Sequence, residues 1–443
     1  MIHEQSKADR TRENGVSSRR GFLKRATVAA VGTGIVAGLD PARVAHAAGS
    51  DELKLGLVGC GGRGTGAAAQ ALTADKGIRL VAMGDAFPDR VSLSLGSLRE
   101  QREIGNRVDV DSARQFAGFD AYRQVIDSGV DIVLLASPPH FRPMHLRAAI
   151  DANKHVFAEK PVAVDPTGVR SVLETTELAR KKKLAILSGL NNRYSPRSQE
   201  LVDRVHEGAI GEIVALHTAR YADGVWVKPR RPGMTDMEYQ MRNWYYFTWL
   251  SGDFNVEQFV HQLDFMAWLM KDRYPVRCYS TGGRQARTGP EYGHIYDHFS
   301  SVFEYENGVR LFATTRHQNG CSPVFTSVAL GTQGQASSSS RDTGITGEHP
   351  WRPPSRDRPI DSHQLEQDSF FSALREGRLI NNGDYMAKST LMAIMERMSA
   401  YTGQTLTWEQ VLNSKLDLSP SSYAWDGKPP PDEVAVPGVT RLV

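Results

Sequence analysis

Three groups of residues in this sequence carry chemistry. The first is the turn Gly59-Cys60-Gly61-Gly62-Arg63-Gly64, with Asp85 standing 21 residues beyond its last glycine. Glycines at 59, 61 and 64 fit G-x-G-x-x-G. The first permits a tight turn, the second lets backbone approach a pyrophosphate, and the third allows close packing of helix on strand. The following helix offers unpaired N–H groups to the anion, with Gly62 and Arg63 beside it. An acidic side chain at 85 suits the adenosine ribose hydroxyls and repels a 2′-phosphate, so NAD is expected over NADP. Cys60 reads as a small buried filler within the turn.

The second is Lys160, two residues beyond the strand-like run 155–158. An ammonium at the carboxyl end of a sheet strand can bind an alcohol oxygen and shuttle its proton. The third is Glu257, His261 and Asp264, spaced four and three apart, which shares one helical face. On that spacing Asp264 accepts from the imidazole, and His261 beside carboxylates is expected to hold its pKa up as a general acid/base. Phe259, Leu263, Phe265 and Trp268 keep the alternative of a core histidine open. Just upstream, Trp244 and Tyr245 open an aromatic run that suits either core packing or stacking on a pyranose face.

The elements that must position these groups alternate. Strands are expected at 53–58, 79–83, 130–136, 155–158 and 185–189, with helices at 67–73, 145–152 and 169–183. That order implies a doubly wound parallel sheet with ligands outside its carboxyl edge. Ser137, Pro138, Pro139 and His140 fall in one such ligand-facing loop. Further on, 212–219, 298–305, 309–316 and 326–330 read as strands of a second sheet, with an Asn307-Gly308 hairpin tip. Residues 337–340 and 350–359 read as loop.

At 443 residues two domains are expected. The net charge is only +3, and the first 25 positions hold seven Lys/Arg against three Asp/Glu. The rest is near neutral, which excludes nucleic acid as an expected partner. Three scattered cysteines, Cys60, Cys278 and Cys321, make neither a disulfide framework nor a metal-ligand pattern, and no metal is expected. Arg19-Arg20-Gly21-Phe22-Leu23-Lys24, a short apolar run to Leu39 and Ala45-His46-Ala47 describe a twin-arginine export signal over 1–47. Its removal would leave no membrane segment. Export by a route that carries folded proteins predicts a periplasmic protein whose dinucleotide travels with it, tightly bound.

Lys154-His155-Val156, Glu159-Lys160-Pro161 and the glycine turn together resemble the Gfo/Idh/MocA oxidoreductases. The likeness extends through Ser137-Pro138-Pro139 and His145, through Gly189-Leu190-Asn191-Asn192-Arg193-Tyr194, and through residues 388–403. It implies an N-terminal Rossmann domain (48–190), a C-terminal α/β domain with a large, mostly antiparallel open sheet (191–418) and a tail (419–443). It further implies that Glu159, Lys160, Ser137, Pro138, His140, His145, Asn191 and Arg193 meet the cofactor. Lys160, Glu257, His261, Asp264, Trp244 and Tyr245 are then expected at a small carbohydrate substrate. A homodimer or homotetramer through the open sheet face is expected too. Glu257 departs from the family pattern, where many relatives carry Asp, so either Glu257 or His261 handles the proton. The expected reaction is hydride transfer at a sugar, glycoside or polyol carbon. An NAD-dependent glycosidase working by oxidation and elimination, and a non-catalytic NAD-carrying binding protein, are the alternatives. Only about five residues separate Ala47 from the first strand, which leaves no room for the cofactor-wrapping arm of periplasmic glucose–fructose oxidoreductases.

Overall fold

The computed structural model describes residues 52–339, 342–354 and 361–441 of the 443-residue chain, so the expected signal at 1–47 lies outside the described residues. Six short apolar runs form β1 (Leu53–Val58), β2 (Ile78–Asp85), β3 (Gln115–Ala117), β4 (Ile132–Leu135), β5 (His155–Ala158) and β6 (Ile186–Ser188). They pair in parallel in the order β3-β2-β1-β4-β5-β6. The central strands are buried on both faces, which is why β4 and most of β2 and β5 are continuously apolar rather than alternating, whereas the edge strand β3 is only partly buried. Leu55, Leu57, Ile132 and Leu134 pack with Ala67, Ala68 and Ala71 on one side. Val133, Leu135 and Val156 pack with Leu146 and Ile150 on the other. The strand order reverses between β1 and β4, and the glycine turn after β1 and the Ser137 loop after β4 flank that point.

The second sheet comprises β7 (Ile213–Ala222), β8 (Arg277–Gly283), β9 (His298–Glu304), β10 (Arg310–His317), β11 (Val324–Gly331), β12 (Gly334–Ser339), β13 (Thr343–Gly347) and β14 (Leu406–Thr407). Its order is β13-β12-β11-β7-β10-β9-β8-β14, with only β7 and β10 parallel. Period-two alternation sorts its faces. Leu311, Ala313, Thr315 and His317 point inward, whereas Arg310, Phe312, Thr314 and Arg316 point outward. The outer face leaves Tyr279, Phe312 and Leu330 substantially exposed.

Two expectations are corrected. Residues 337–339 are strand, not loop, because β12 pairs with both β11 and β13 and turns Ala336 inward. Part of the stretch assigned to the second domain also returns to the first. Ile186 donates to the Ile380 carbonyl, Asn382 donates to the Ile186 carbonyl, and Ser188 donates to Asn382 Oδ1. The helix Ser362–Arg375 lies on the helix Gly62–Ala74, so the Rossmann domain is built from two stretches of chain. Cys278 is buried, Cys321 is exposed, and both are free thiols.

The helix Gly383–Thr402 is buried on nearly all sides and ties the two halves together. Thr390 Oγ1 accepts from Val162 N at 3.3 Å, and Arg397 Nη1 donates to the carbonyls of Val164 (2.7 Å) and Gly252 (2.8 Å). Glu396 accepts from Asn255 Nδ2 at 3.0 Å and from Ser301 Oγ at 2.7 Å. One helix thereby fixes the loop after Lys160 against the turn that carries Glu257.

A Cβ at Gly64 would lie 1.8 Å from the Gly59 carbonyl oxygen, whereas at Gly62 it meets nothing within 4 Å. Gly64→Ala should therefore cost at least about 3 kcal/mol of unfolding free energy. Gly62→Ala should leave the cofactor-free melting temperature unchanged, and equal melting for both variants would contradict the packing argument. Burial pushes the Glu396 carboxyl up to about 7 from an ordinary 4.5, against the charge-favouring bonds from Asn255 and Ser301. The folded state then holds a proton that the unfolded chain releases earlier. This contribution is full below about pH 4.5 and is lost as pH rises through about 7. Urea unfolding as a function of pH should show a flatter profile for Glu396→Gln across that window.

Candidate active site and dinucleotide cleft

The glycine turn works as a cradle. Gly59 has φ +96°, a conformation that suits glycine, and a Cβ there would sit 2.3 Å from Ser137 N. Gly61 and Gly62 face open space, which leaves room for a phosphate against their backbone. That space belongs to a cavity of about 490 Å³ lined by Gly59, Gly61, Gly62, Arg63, Asp85, Ser137, Pro138 and His145. The residues present thus fit a dinucleotide: open glycines for the pyrophosphate, and an acid at the end of β2 for a ribose.

Asp85 accepts from Cys60 N (2.7 Å) and Phe87 N (2.9 Å), so it also shapes the turn, and burial raises its pKa. Ser137 Oγ lies 3.1 Å from His145 Nδ1, and the His145 ring stacks on Tyr122 at 4.1 Å. Burial drives the His145 pKa well down, so the ring is neutral. The remaining wall was not foreseen. Phe87, Arg90, Phe119 and Tyr122 come from the first domain, and Trp226, Lys228, Met241 and Arg242 from the second. None of them sits in a recognisable motif; only the fold brings them together.

Other expected cofactor contacts are engaged elsewhere. His140 Nε2 meets the Tyr423 hydroxyl at 2.8 Å, and its ring stands edge-on to Trp249. Asn191 Nδ2 donates to Ser362 Oγ at 2.7 Å. Glu159 is buried and pairs with Arg63 Nε at 2.7 Å, while Arg63 Nη2 donates to Gln70. Arg193 and Asp264, expected respectively at cofactor and substrate, instead bind each other. Arg193 Nη2 lies 2.8 Å from Asp264 Oδ1, with Asp272 at 2.7 Å and the Tyr385 ring 3.9 Å beneath the guanidinium. Ser389 Oγ also donates to Asp264, so this carboxylate does not accept from His261.

Lys160 emerges from β5 one strand over from Ser137, just before the cis Lys160–Pro161 peptide. Buried Arg142 donates to the carbonyls of Glu159 (2.8 Å) and Leu135 (2.9 Å), which fixes the ends of β5 and β4 together. Lys160 Nζ crosses to the second domain. It donates to the Glu257 carbonyl at 2.6 Å and to Glu257 Oε1 at 2.9 Å. Glu257 lies in a π-helical turn, Asn255–Phe259, which then passes into the α-helix Val260–Leu269. A uniform helix was expected; widened turns of this kind recur at functional sites.

His261 differs from expectation in its charge. Burial pushes its pKa well below the ordinary value, and Lys160 and Arg220 push it further. The carboxylates expected to hold it up are occupied by Lys160 and Arg193. The imidazole is neutral, and its buried Nδ1 has no hydrogen-bond partner. Trp244 lines the cavity, whereas Tyr245 lies behind it, edge-on to Trp244, with its hydroxyl 3.4 Å from His317 Nδ1.

The tail packs behind the cavity wall. Trp425 packs its ring 4.6 Å from Phe119 and 5.0 Å from Phe87, both cavity-lining. Its carbonyl accepts from Thr235 Oγ1, and that of Ala435 accepts from the Tyr296 hydroxyl, so the tail is anchored in both domains.

Comparison with known proteins places this architecture. Residues 53–190 match the oxidoreductase family with NAD-binding Rossmann fold, and residues 198–337 match the GFO/IDH/MocA C-terminal domain. Among curated relatives, an inositol 2-dehydrogenase of Acidothermus cellulolyticus is 25% identical over 54% of this chain and 60% of its own length. Inositol 2-dehydrogenase 3 of Saccharopolyspora erythraea is 26% identical over 58% of this chain and 65% of its own length. The chain thus spans less than two thirds of these relatives. Among solved structures, a levoglucosan dehydrogenase in complex with NADH and levoglucosan superposes with TM-score 0.64 at 16% identity, covering 80% of this chain and 99% of that one. The aldose–aldose oxidoreductase of Caulobacter crescentus gives 0.61 at 17%, covering 80% and 99%. With an NAD-binding Rossmann domain and the matching C-terminal domain in one chain, the protein belongs to the Gfo/Idh/MocA oxidoreductase family.

Proposed function

We propose that the protein is an NAD-dependent dehydrogenase of a sugar or polyol, with a tightly held dinucleotide. The observation that carries this reading is the Lys160–Glu257 pair, which crosses the domain junction next to the neutral His261 ring and one strand from the dinucleotide cavity. Oxidising a carbinol removes a hydride from carbon and a proton from its hydroxyl, leaving a carbonyl. The bound dinucleotide supplies the hydride acceptor. Gly61, Gly62 and Asp85 would hold its pyrophosphate and ribose.

Glu257 fixes the Lys160 ammonium, which then donates to the substrate oxygen and stabilises negative charge as it develops there. An ammonium has no lone pair with which to take a proton, whereas the neutral imidazole of His261 has one, held at low basicity by burial and by the neighbouring cations. We therefore assign uptake of the hydroxyl proton to His261 and orientation of Lys160 to Glu257. Asp85 supports NAD over NADP, because a 2′-phosphate would meet a second anion in a buried setting.

The inositol dehydrogenases among the relatives support a polyol or sugar as substrate. The Arg19-Arg20 leader supports twin-arginine export of a folded holoprotein to the periplasm. The exposed Tyr279, Phe312 and Leu330 on the outer sheet face support association with a second copy of the chain.

In Lys160→Met, sugar-driven reduction of the bound dinucleotide should fall by about 10²- to 10⁴-fold while dinucleotide remains bound. Absorbance of the reduced nicotinamide measures the first and analysis of the denatured protein the second; normal turnover would remove Lys160 from the mechanism. Trp425→Ala takes away the ring behind Phe87 and Phe119. Release of NADH, followed by its fluorescence after dilution, should become about tenfold faster.

A further inference from the structure

We propose that Arg220 recognises an anionic group on the substrate, and that the site takes a sugar carboxylate in preference to a neutral polyol. The inference rests on the dehydrogenase reading for its reaction, and it names the substrate class of that same site.

Arg220 lies near the carboxyl end of β7, on the inward face with Leu216 and Thr218. Its register partners are Thr315 on β10 and Phe325 on β11. The guanidinium sits over the Phe325 ring at 4.9 Å, and Nη2 donates to Gln258 Oε1 at 2.6 Å. Gln258 directly follows Glu257 and precedes His261 by three residues, so Arg220 is tethered to the turn that carries the proposed catalytic pair.

Among the described residues Arg220 has no carboxylate partner, a state it shares with buried Arg142, Arg287 and Arg397; those three donate to backbone carbonyls, whereas Arg220 donates to the Gln258 amide. Arg63, Arg193 and Arg242 each pair with carboxylates. Among the described residues no carboxylate lies within 4.0 Å of Arg220. The nearby acid, Glu257, is held by Lys160. Nε of Arg220 is buried without a hydrogen-bond partner, and burial lowers the guanidinium's pKa.

The histidines around Arg220 supply no charge, and the buried acid Asp253 acts on Arg287 rather than on Arg220. His261 is neutral, and burial takes His317, inward-facing at the end of β10, down to about 3, with Arg287 and Arg220 contributing. Arg287 is itself buried, and it too lacks a carboxylate within 4.0 Å among the described residues. With Lys160 and Glu257 cancelling, the Arg220 guanidinium keeps an unpaired positive charge beside His261.

Buried charges are ordinarily paired, because desolvating an ion costs several kcal/mol. A neutral polyol leaves that cost standing, whereas a carboxylate offsets it and matches the two-pronged donor geometry of a guanidinium. A sugar phosphate presents the same kind of anion, so the test separates the two.

The dinucleotide-loaded protein is assayed with hexuronates, the corresponding neutral hexoses and their 6-phosphates. Reduction of the bound dinucleotide gives kcat and KM, and calorimetry gives binding. A hexuronate should be preferred over its hexose by about 100-fold in kcat/KM, the worth of two charge-assisted hydrogen bonds. In Arg220→Gln that ratio should collapse, mainly through KM. Arg220→Lys keeps the charge, loses the fork, and should retain part of the preference; it also serves if Arg220→Gln does not fold. Preference for neutral hexoses overturns the proposal, as does preference for the 6-phosphates or an unchanged ratio in Arg220→Gln. Arg220-dependent binding of a hexuronate with no reduction would keep Arg220 as the anion contact and defeat the dehydrogenase reading instead.

Discussion

The proposed chemistry depends on holding one ammonium at the junction of two domains. Lys160 belongs to the first sheet and Glu257 to the second domain, and their contact is largely buried. Breaking such a pair is expected to cost about 3–5 kcal/mol, because the remaining charge is left without compensation. The pair is therefore also a structural statement: the domains must meet in one register. Arg142 fixes Lys160 from beneath by joining the ends of β4 and β5. The helix Gly383–Thr402 fixes the opposite side, where Arg397 bridges Val164 and Gly252 and Glu396 holds Asn255. Buried hydrogen bonds from both sides to one helix favour a single arrangement over a soft interface, although Arg397 Nη2 and Asn255 Oδ1 are left without partners among the described residues.

Much of the fold was legible in local pattern. Strand runs such as Leu53–Val58 and Ile132–Leu135 are buried on both faces, so they announce themselves as apolar. The Asn307-Gly308 tip marks the hairpin between β9 and β10, with Gly308 at φ +85°. What could not be read was the return of residues 362–382 to the first domain. Nothing in the run of Asn381 and Asn382 signals that they pair with Ile186 and Ser188, because those bonds are long-range and made by backbone and amide groups. β12 was missed for a related reason: its serines have little apolar character, and neighbouring strands rather than propensity hold it in the sheet.

Within the site, residues in motifs were easier to place than residues that merely pass nearby. The three glycines have the distinct steric surroundings that their spacing implied. The Glu257–His261 spacing put both in one neighbourhood, but sequence could not tell that Arg193 and Ser389 would claim Asp264. That loss reverses the expected charge of His261, since a histidine's protonation is set by which neighbours remain available to it. Arg220 carried no signal, for an arginine in a strand is ordinary until its missing partner becomes visible.

The tail that joins both domains behind the cavity wall bears on how a ligand enters. Most two-lobed enzymes can open like a jaw, and selection then happens as the jaw shuts. Here Trp425 sits against Phe87 and Phe119 of one lobe while backbone carbonyls of the tail are gripped by Thr235 and Tyr296 of the other. A splint of this kind sets the width of the gap in advance. Any wider opening must first peel the splint from one lobe.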